Sequence, residues 1–397
     1  MKIAIFSDNF YPEISGISDS IIALAKKLAE SGNKITFFAP RYSDEDYKKV
    51  KIPSGKELDL GENIRIKRYF SFHYPLSGTG QAHLVTPSPW RWRFSKSFVP
   101  DVIHSQLFFG LGLDALISAR INHIPIVGTN HTAIAEFTRY SPIKAGWFEK
   151  ITMKYVVWYY NHCDYVTAPS QSVFDEMARF GFKRPHKVMS NPVSFDIFNT
   201  APSSDKEKLK KEFGFSNAVL ACAGRLSPEK NVDVIIRALA LVRKRIPDIN
   251  LVLAGHGNAA GELKNLAENL GVSDAVKFFG TVDQPTLAKI YRAAEIFVIG
   301  STSETQSMSL IQAMACALPA VGVSARALPE YITNQTGFLV KPNDYEAFAE
   351  KIIFLIKNPA FREKLGENAS KFVQKFSVPN IAEEWEKIYG EITCDKL

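Results

Sequence analysis

Short apolar runs alternate with amphipathic stretches along this chain, and the alternation occurs in two series. Residues 2–6 (KIAIF) are a nearly continuous apolar run and read as a buried strand. Residues 17–31 carry Ile21, Ile22, Leu24, Ala25 and Leu28 at helical spacing, Ser31-Gly32-Asn33 closes that helix, and 35–39 form a second strand. Such a β-loop-α-β opening predicts a parallel, doubly wound sheet. Further strands are predicted at 101–104, 124–128 and 164–168, with a capped helix from Ser170. A second series begins at 219–223 and continues through 250–254, 276–279, 294–299, 320–323 and 337–340. Helices from Asp344 and Asn358 and a last helix over 380–392 follow. The stretch 200–206 between the two series, rich in Pro, Ser and charge, reads as a linker. The expected organisation is an N-terminal domain over 1–199, a second domain over 200–379, and a terminal helical segment over 380–397.

Composition narrows the class without naming a function. A chain of 397 residues is long enough for two domains, and 46% hydrophobic with 22% charged residues excludes general disorder. No apolar run approaches the roughly 20 residues that span a bilayer. The opening MKIAIFSD reads as a strand running into polar residues, not a signal peptide. Cys163, Cys222, Cys316 and Cys394 are scattered without metal or disulfide spacing, which fits a reduced, cytoplasmic setting.

Charge is uneven. The net is +7, and residues 1–200 hold 24 Lys and Arg against 18 Asp and Glu, so most of the excess belongs to the first half. Within 64–100, Arg65, Lys67, Arg68, Arg91, Arg93 and Lys96 occur with no acid among them. They interleave with Tyr69, Phe70, Phe72, Tyr74, Trp90, Trp92, Phe94 and Phe98. That mixture suits an anionic lipid interface, single-stranded nucleic acid, or a solvated basic face over ordinary core aromatics. Residues 141–160 set Lys144, Lys150 and Lys154 among Trp147, Phe148, Ile151, Tyr155 and Trp158. This amphipathic helix is compatible both with lying on a membrane and with packing.

The loops after the strands carry the candidate chemistry. The loop 7–16 is long and polar and ends in Ser15-Gly16 at a helix start. His131 falls just past the strand 124–128, where parallel sheets place ligand contacts. Gly224-Arg225-Leu226-Ser227-Pro228-Glu229-Lys230 offers two cations to one polyphosphate after a glycine that lets the chain turn closely. Gly255-His256-Gly257-Asn258-Ala259-Ala260 approaches a dinucleotide fingerprint, yet lies in the second βα unit of its domain and lacks the following acid. In 301–320, a Ser/Thr-rich loop with Glu304 runs into an apolar helix ended by Leu318-Pro319. Ser309, Gln312 and Cys316 fall on one face of it. A helix start of this kind favours an anion, so Gln306, Ser307, Met308 and Ser309 form a candidate phosphate cradle. Asp44-Glu45-Asp46 mimics a DxD metal site, but without supporting ligands it reads as a solvated run.

The stretch SETQ, then seven residues from Glu304 to a polar position, AMA and a small-Leu-Pro, resembles the E-x7-E element of retaining family-4 glycosyltransferases. The resemblance extends to Gly224–Lys230 as the GRL-x-x-EK element, Thr129-Asn130-His131 as T-x-H, and Asn191-Pro192-Val193 with Phe198 as the end-of-domain signature. It implies the α/β GT-B fold: two Rossmann-like doubly wound domains facing a cleft, with the C-terminal helix crossing back to the first. It implies that Arg225 and Lys230 hold the donor diphosphate, with Gly16 approaching it. Gly255 and Gly257 would lie close to the nucleotide sugar, Val282 near the base, and Glu304 beside the donor sugar, which His131 positions. Position 312, where the family has a Glu for the ribose hydroxyls, is Gln312. A neutral acceptor there weakens donor affinity roughly tenfold to thirtyfold.

SETQ-x-x-S-x-I-x-AM and the pair NHT and FTRYSP are similar to the branch that glucosylates diacylglycerol. The implied activity is a retaining, metal-independent transfer of a hexose from a nucleotide diphosphate sugar, UDP rather than GDP, to a membrane lipid. The implied setting is cytoplasmic and peripheral on an anionic membrane, with no further cofactor and no nucleic acid. A soluble or polysaccharide acceptor, a GT-B nucleotide-sugar epimerase and a binding-only relative are the alternatives.

Overall fold

A computed structural model describes residues 1–13, 15–49, 53, 55–73, 82–95, 98–132, 146–200, 203–215 and 218–394. The chain divides into two compact units, one running from Met1 to Pro192 and including the helix Val378–Cys394, the other spanning Val193–Ser377.

The first unit is built on a parallel sheet of seven strands. In chain order these are β1 (Lys2–Phe6), β2 (Lys34–Pro40), β3 (Ile64–Tyr69), then β6 (Val102–Ser105), β7 (Ile126–Thr129), β8 (Tyr165–Ala168) and β9 (His186–Val188). A separate two-stranded ribbon pairs β4 (Phe72–His73) with β5 (His83–Leu84). The sheet order is β3-β2-β1-β6-β7-β8-β9, so the winding reverses between β1 and β6. Both faces are covered by helices, which is why these strands are apolar throughout and not alternating. The terminal helix Val378–Cys394 packs in this unit: Trp385 and Tyr389 are buried, and Asn33 donates to Glu386 at 2.9 Å.

The second unit repeats the plan with six parallel strands: β10 (Ala218–Ala223), β11 (Ile249–Ala254), β12 (Val276–Gly280), β13 (Ile296–Ile299), β14 (Ala320–Val323) and β15 (Gly337–Val340). Their order is β12-β11-β10-β13-β14-β15, and the reversal falls between β10 and β13. Ligands of open α/β sheets bind outside the carboxyl ends of strands at such a reversal, because the two following helices leave on opposite faces and open a crevice.

Several sequence expectations need correction. Residues 193–199, expected in the first domain, pack in the second. Val193 N–H donates to Phe376 O at 2.9 Å, Phe198 is buried in the second core, and Arg292 donates to the carbonyls of Ile197 and Asn199. The expected linker 200–206 is already helical from Ser203, in Ser203–Phe213, and Lys206 pairs with Glu295 at 3.1 Å. Asp44-Glu45-Asp46 is solvated only in part: it opens the short helix Asp44–Lys49 with Asp44 and Glu45 exposed, while Asp46 is buried, accepting from Ser43 and meeting His83 Nε2 at 3.0 Å.

The basic-aromatic run is acid-free only in sequence. Arg68 makes a two-pronged contact with Glu57, and Arg91 is paired with the fully buried Asp114 at 2.7 Å, which also accepts from Trp92 Nε1. Phe94 and Phe98 pack against the first core. Tyr74, Lys96, Lys144 and the FTRYSP stretch lie outside the described residues.

Candidate active site

The reversal between β10 and β13 sets two loops side by side, and the candidate donor residues sit on them. Lys230, on the loop after β10, donates through Nζ to Glu304 Oε1, on the loop after β13, at 2.7 Å. The two are 74 residues apart in sequence and both only partly exposed. Asn231, in a left-handed conformation (φ 47°), staples the loops, donating to Gly300 O at 3.1 Å and Thr302 Oγ1 at 3.3 Å. Arg225 is more exposed, with its guanidinium 4.0 Å from buried Glu229, itself held by Ser227 Oγ at 2.6 Å. A cation that is half in solvent and only loosely paired can be recruited by an anionic ligand without breaking a strong contact.

The helix after Glu304 is Met308–Ala315. Ser307 is its N-cap, accepting from Leu310 N–H at 3.3 Å, and its Oγ lies 3.1 Å from Ser309 Oγ. Gln306 is buried and its side chain bonds the Tyr331 hydroxyl, so a ligand at this turn would meet backbone and serine hydroxyls, not that amide. Gln312 is half-buried one turn into the helix, and no described residue hydrogen-bonds its carboxamide. Cys316 departs from the expected polar face: the helix ends at Ala315, Cys316 is buried in the second core, and Ala317 turns left-handed (φ 59°).

The two glycines of the fingerprint-like loop have a structural reason that sequence did not give. A Cβ on Gly255 would stand 1.8 Å from Gly224 O, and one on Gly257 would stand 2.1 Å from Leu226 O. Their missing side chains make room for the Arg225 loop. Leu226 N–H donates to His256 O, and Ala259 N–H to Leu226 O, both at 3.0 Å. Gly255 and Gly257 thus position Arg225. Val282, past β12, is half-buried against the second core.

In the first unit, Gly16 is exposed at the start of the helix Gly16–Glu30, which Ser15 caps. His131 is buried just beyond β7, with Nε2 2.7 Å from Gln106 Oε1. The Gln106 amide nitrogen reaches His104 Nε2 at 3.0 Å, and His104 Nδ1 reaches Tyr389 Oη on the terminal helix at 2.7 Å. Burial pushes His131 down to about 4, and burial, helped by His131 itself, pushes His104 down to about 3. His131 is therefore neutral at pH 7. It offers hydrogen bonds to hydroxyls and no cation to phosphate. A cavity beside this chain of contacts is lined by Ser20, Leu24, Ser190, Asn191 and Trp385, among others.

Residues 205–372 match the family described as "Glycosyl transferases group 1", and 14–196 match "Glycosyltransferase Family 4". The chain belongs to the family-4 glycosyltransferases. It is 27% identical to alpha-monoglucosyldiacylglycerol synthase of Streptococcus pneumoniae, over 98% of this chain and 85% of that protein. With alpha-monoglucosyldiacylglycerol synthase of Acholeplasma laidlawii it shares 23% identity, over 99% of this chain and 97% of that protein. Among solved structures, Anabaena HepE crystallised with UDP and glucose superposes with a TM-score of 0.77 at 22% identity, covering 98% of this chain and all of that one. This glycosyltransferase accordingly has the GT-B fold.

Within the glycosyltransferase's second unit, the fold brings Arg225, Lys230, Glu304 and Ser307 to neighbouring loops. Sequence reading missed Gln106, His104 and Tyr389. The signal was present in the alternation His104-Ser105-Gln106 at a strand end, where polar groups sit among apolar neighbours and need partners. Tyr389 carried no such signal, because its partner lies 285 residues away.

Proposed function

We propose that this glycosyltransferase moves a hexose from a UDP-sugar to a hydroxyl of a membrane lipid of the diacylglycerol type, with retention at the anomeric carbon. The observation that carries the reading is the Lys230–Glu304 pair at the β10/β13 reversal, beside Arg225 and the Ser307-capped helix start. A cation next to a carboxylate suits a ligand that is anionic at one end and rich in hydroxyls at the other. Arg225 and Lys230 take the diphosphate, and Glu304 takes donor-sugar hydroxyls while keeping Lys230 oriented. The family match supports glycosyl transfer, and the names of the two synthases support a lipid acceptor. The UDP and glucose crystallised with HepE support a uridine donor.

In the step proposed, the bond from the anomeric carbon to the phosphate oxygen breaks and UDP leaves. The acceptor hydroxyl attacks from the face UDP vacates, and its proton passes to the departing phosphate oxygen. Gln312 holds the ribose with a neutral acceptor. Leaving-group stabilisation is assigned to the two cations and the helix start, so turnover should persist unchanged in EDTA. Loss of activity in EDTA, restored by a divalent ion, contradicts that part. No helix among the described residues is long and apolar enough to cross a membrane, and the lipid is reached by peripheral attachment on the cytoplasmic face. A panel of nucleotide sugars screened for protection against thermal unfolding tests the donor assignment, because a ligand stabilises the state it binds. UDP-hexoses should raise Tm where GDP-hexoses and dinucleotides do not.

A further inference from the structure

Gln106 stands at the reversal of the first sheet. It follows β6, and its N–H donates to Phe6 O, at the end of β1, at 2.9 Å. The residue is 2% exposed, so both ends of its carboxamide need partners inside the protein. The oxygen meets His131 Nε2 at 2.7 Å. The nitrogen lies 3.0 Å from His104 Nε2 and 3.3 Å from His104 Nδ1. A donor aimed along the lone pair of one imidazole nitrogen would stand far from the other. Near-equal distances to both put the amide over the ring face instead.

The nitrogens of His104 have other partners. Nδ1 is 2.7 Å from Tyr389 Oη, on the helix Val378–Cys394. Nε2 is 2.6 Å from Thr129 Oγ1, which reaches Thr167 Oγ1 at 2.7 Å. Burial holds the Tyr389 hydroxyl protonated, and that proton has His104 Nδ1 as its acceptor. Neutral His104 therefore carries its one proton on Nε2 and donates it to Thr129.

This arrangement orients the carboxamide. The face of a neutral imidazole is its electron-rich side, so the NH2 group belongs over it and the oxygen does not. The oxygen is turned to His131, and an amide oxygen only accepts. His131 must then carry its proton on Nε2, which makes Nδ1 the accepting nitrogen of that ring. A buried polar chain of this kind is costlier than an apolar filling unless it fixes something in place.

We propose that Gln106 is a positioning residue for glycosyl transfer: it holds His131 as the Nε2–H tautomer, so that Nδ1 accepts from a substrate hydroxyl. The effect on rate rests on the transfer reading above, whereas the geometry belongs to the first unit alone. Without Gln106 the imidazole could turn, or carry its proton on Nδ1, where it would donate and not accept. Among the described residues, the titratable groups that these contacts link to His131 are His104, Tyr389 and Tyr160, whose hydroxyl donates to Thr129 O. Burial keeps all three neutral at pH 7.

The test joins nitrogen NMR of the full chain, isotopically labelled in its histidine rings, to transfer kinetics with UDP-hexose. The His131 signals are assigned by their loss in His131→Phe. At pH 7 wild type should show a protonated Nε2 and a bare Nδ1 on His131. Gln106→Leu should lose that preference and lower kcat about tenfold, the equivalent of about 1.4 kcal/mol or one hydrogen bond. Gln106→Glu is the conservative variant. Its carboxylate still accepts from Nε2–H, so the tautomer and most of kcat should survive at high pH. The same carboxylate favours an imidazolium, which is protonated at both nitrogens and cannot accept. Activity of Gln106→Glu should therefore fall as pH drops through the raised pKa of His131. Wild type should stay level there, because its own His131 is held down near 4.

A wild-type His131 protonated on Nδ1 overturns the proposal. So does a tautomer unmoved in Gln106→Leu, or a moved tautomer with wild-type kcat. A pH profile in Gln106→Glu that matches wild type removes the accepting role of Nδ1. Circular dichroism checks the fold of each variant. If Gln106→Leu does not fold, the ring signals and pH profile of Gln106→Glu decide the matter by themselves. A wild type with the expected tautomer that binds UDP-hexose but transfers to no hydroxyl counts against the transfer reading. In that case the ring signals of Gln106→Leu still decide what Gln106 holds.

Discussion

At the scale of single residues, charge state decides roles. Arg225 is the least constrained cation of the proposed donor set, so its charge is the most available to a leaving diphosphate. Arg225→Ala should lower kcat/KM by two orders of magnitude or more, about 3 kcal/mol of transition-state stabilisation, with the fold intact by circular dichroism. Unchanged turnover would remove Arg225 from the site. Gln312 makes the opposite prediction. Its carboxamide lacks a partner among the described residues, so Gln312→Glu should tighten UDP-sugar binding roughly tenfold, read by calorimetry. Weaker binding would mean that the residue does not face the ribose.

Three buried titratable groups in the first unit set the pH dependence of stability. His104 and His131 are depressed from 6.5 to about 3 and about 4, so their stabilising neutrality is complete above about pH 6.5 and is lost as pH falls toward those values. Asp8 is raised from 3.8 to about 8, chiefly by burial and against the lowering effect of the bond it accepts from Leu111 N–H, so its cost grows as pH rises from about 4 to about 8. Each contributes up to about 1.4 kcal/mol per pH unit within its window. Thermal unfolding should therefore show greatest stability near pH 6.5, and Asp8→Asn should flatten the decline above it and steepen the rise below it. A decline on the alkaline side that survives Asp8→Asn would show that Asp8 is not its source.

At the scale of elements, the contact between two loops holds the residues proposed to touch the donor. The Gly255–Gly257 loop packs its backbone onto the Arg225 loop with no room for a methyl group at Gly257. Gly257→Ala should cost about 1–3 kcal/mol of stability and weaken donor binding although it removes no ligand contact. Urea unfolding and calorimetry on one sample measure both effects. If donor affinity is unchanged, the Arg225 loop is held by other means. This is also where sequence reading went furthest from its physical cause. The glycines were legible as glycines that had to be there, but a sequence does not say whether the space beside them belongs to a ligand or to a neighbouring loop. The same limit explains Arg68 and Arg91, whose partners Glu57 and Asp114 lie outside the acid-free window that made the run look unneutralised.

At the scale of the whole molecule, the two-series βα pattern was legible because buried parallel strands are apolar along their whole length and the helices between them carry a clear period. Strand order was not, since register and neighbours are set by packing at long range. It is the order that makes a site, by putting Lys230 and Glu304 on adjacent loops. The unit boundary slipped because residues 193–199 look like the end of a strand-and-loop series, yet Arg292, nearly a hundred residues on, ties them to the second unit.

Transfer chemistry at the β10/β13 crevice is the central claim, and one measurement reaches it directly. The full chain is incubated with radiolabelled UDP-hexoses and diacylglycerol in mixed micelles, and UDP release and labelled glycolipid are counted together. One UDP should be released per glycolipid formed, with an anomeric configuration matching the donor, and both UDP release and glycolipid should fall by a factor of a hundred or more in Arg225→Ala. A chain that is stabilised by UDP-hexose but forms no labelled product on lipid or soluble hydroxyls, or that returns the donor as its epimer, contradicts that claim.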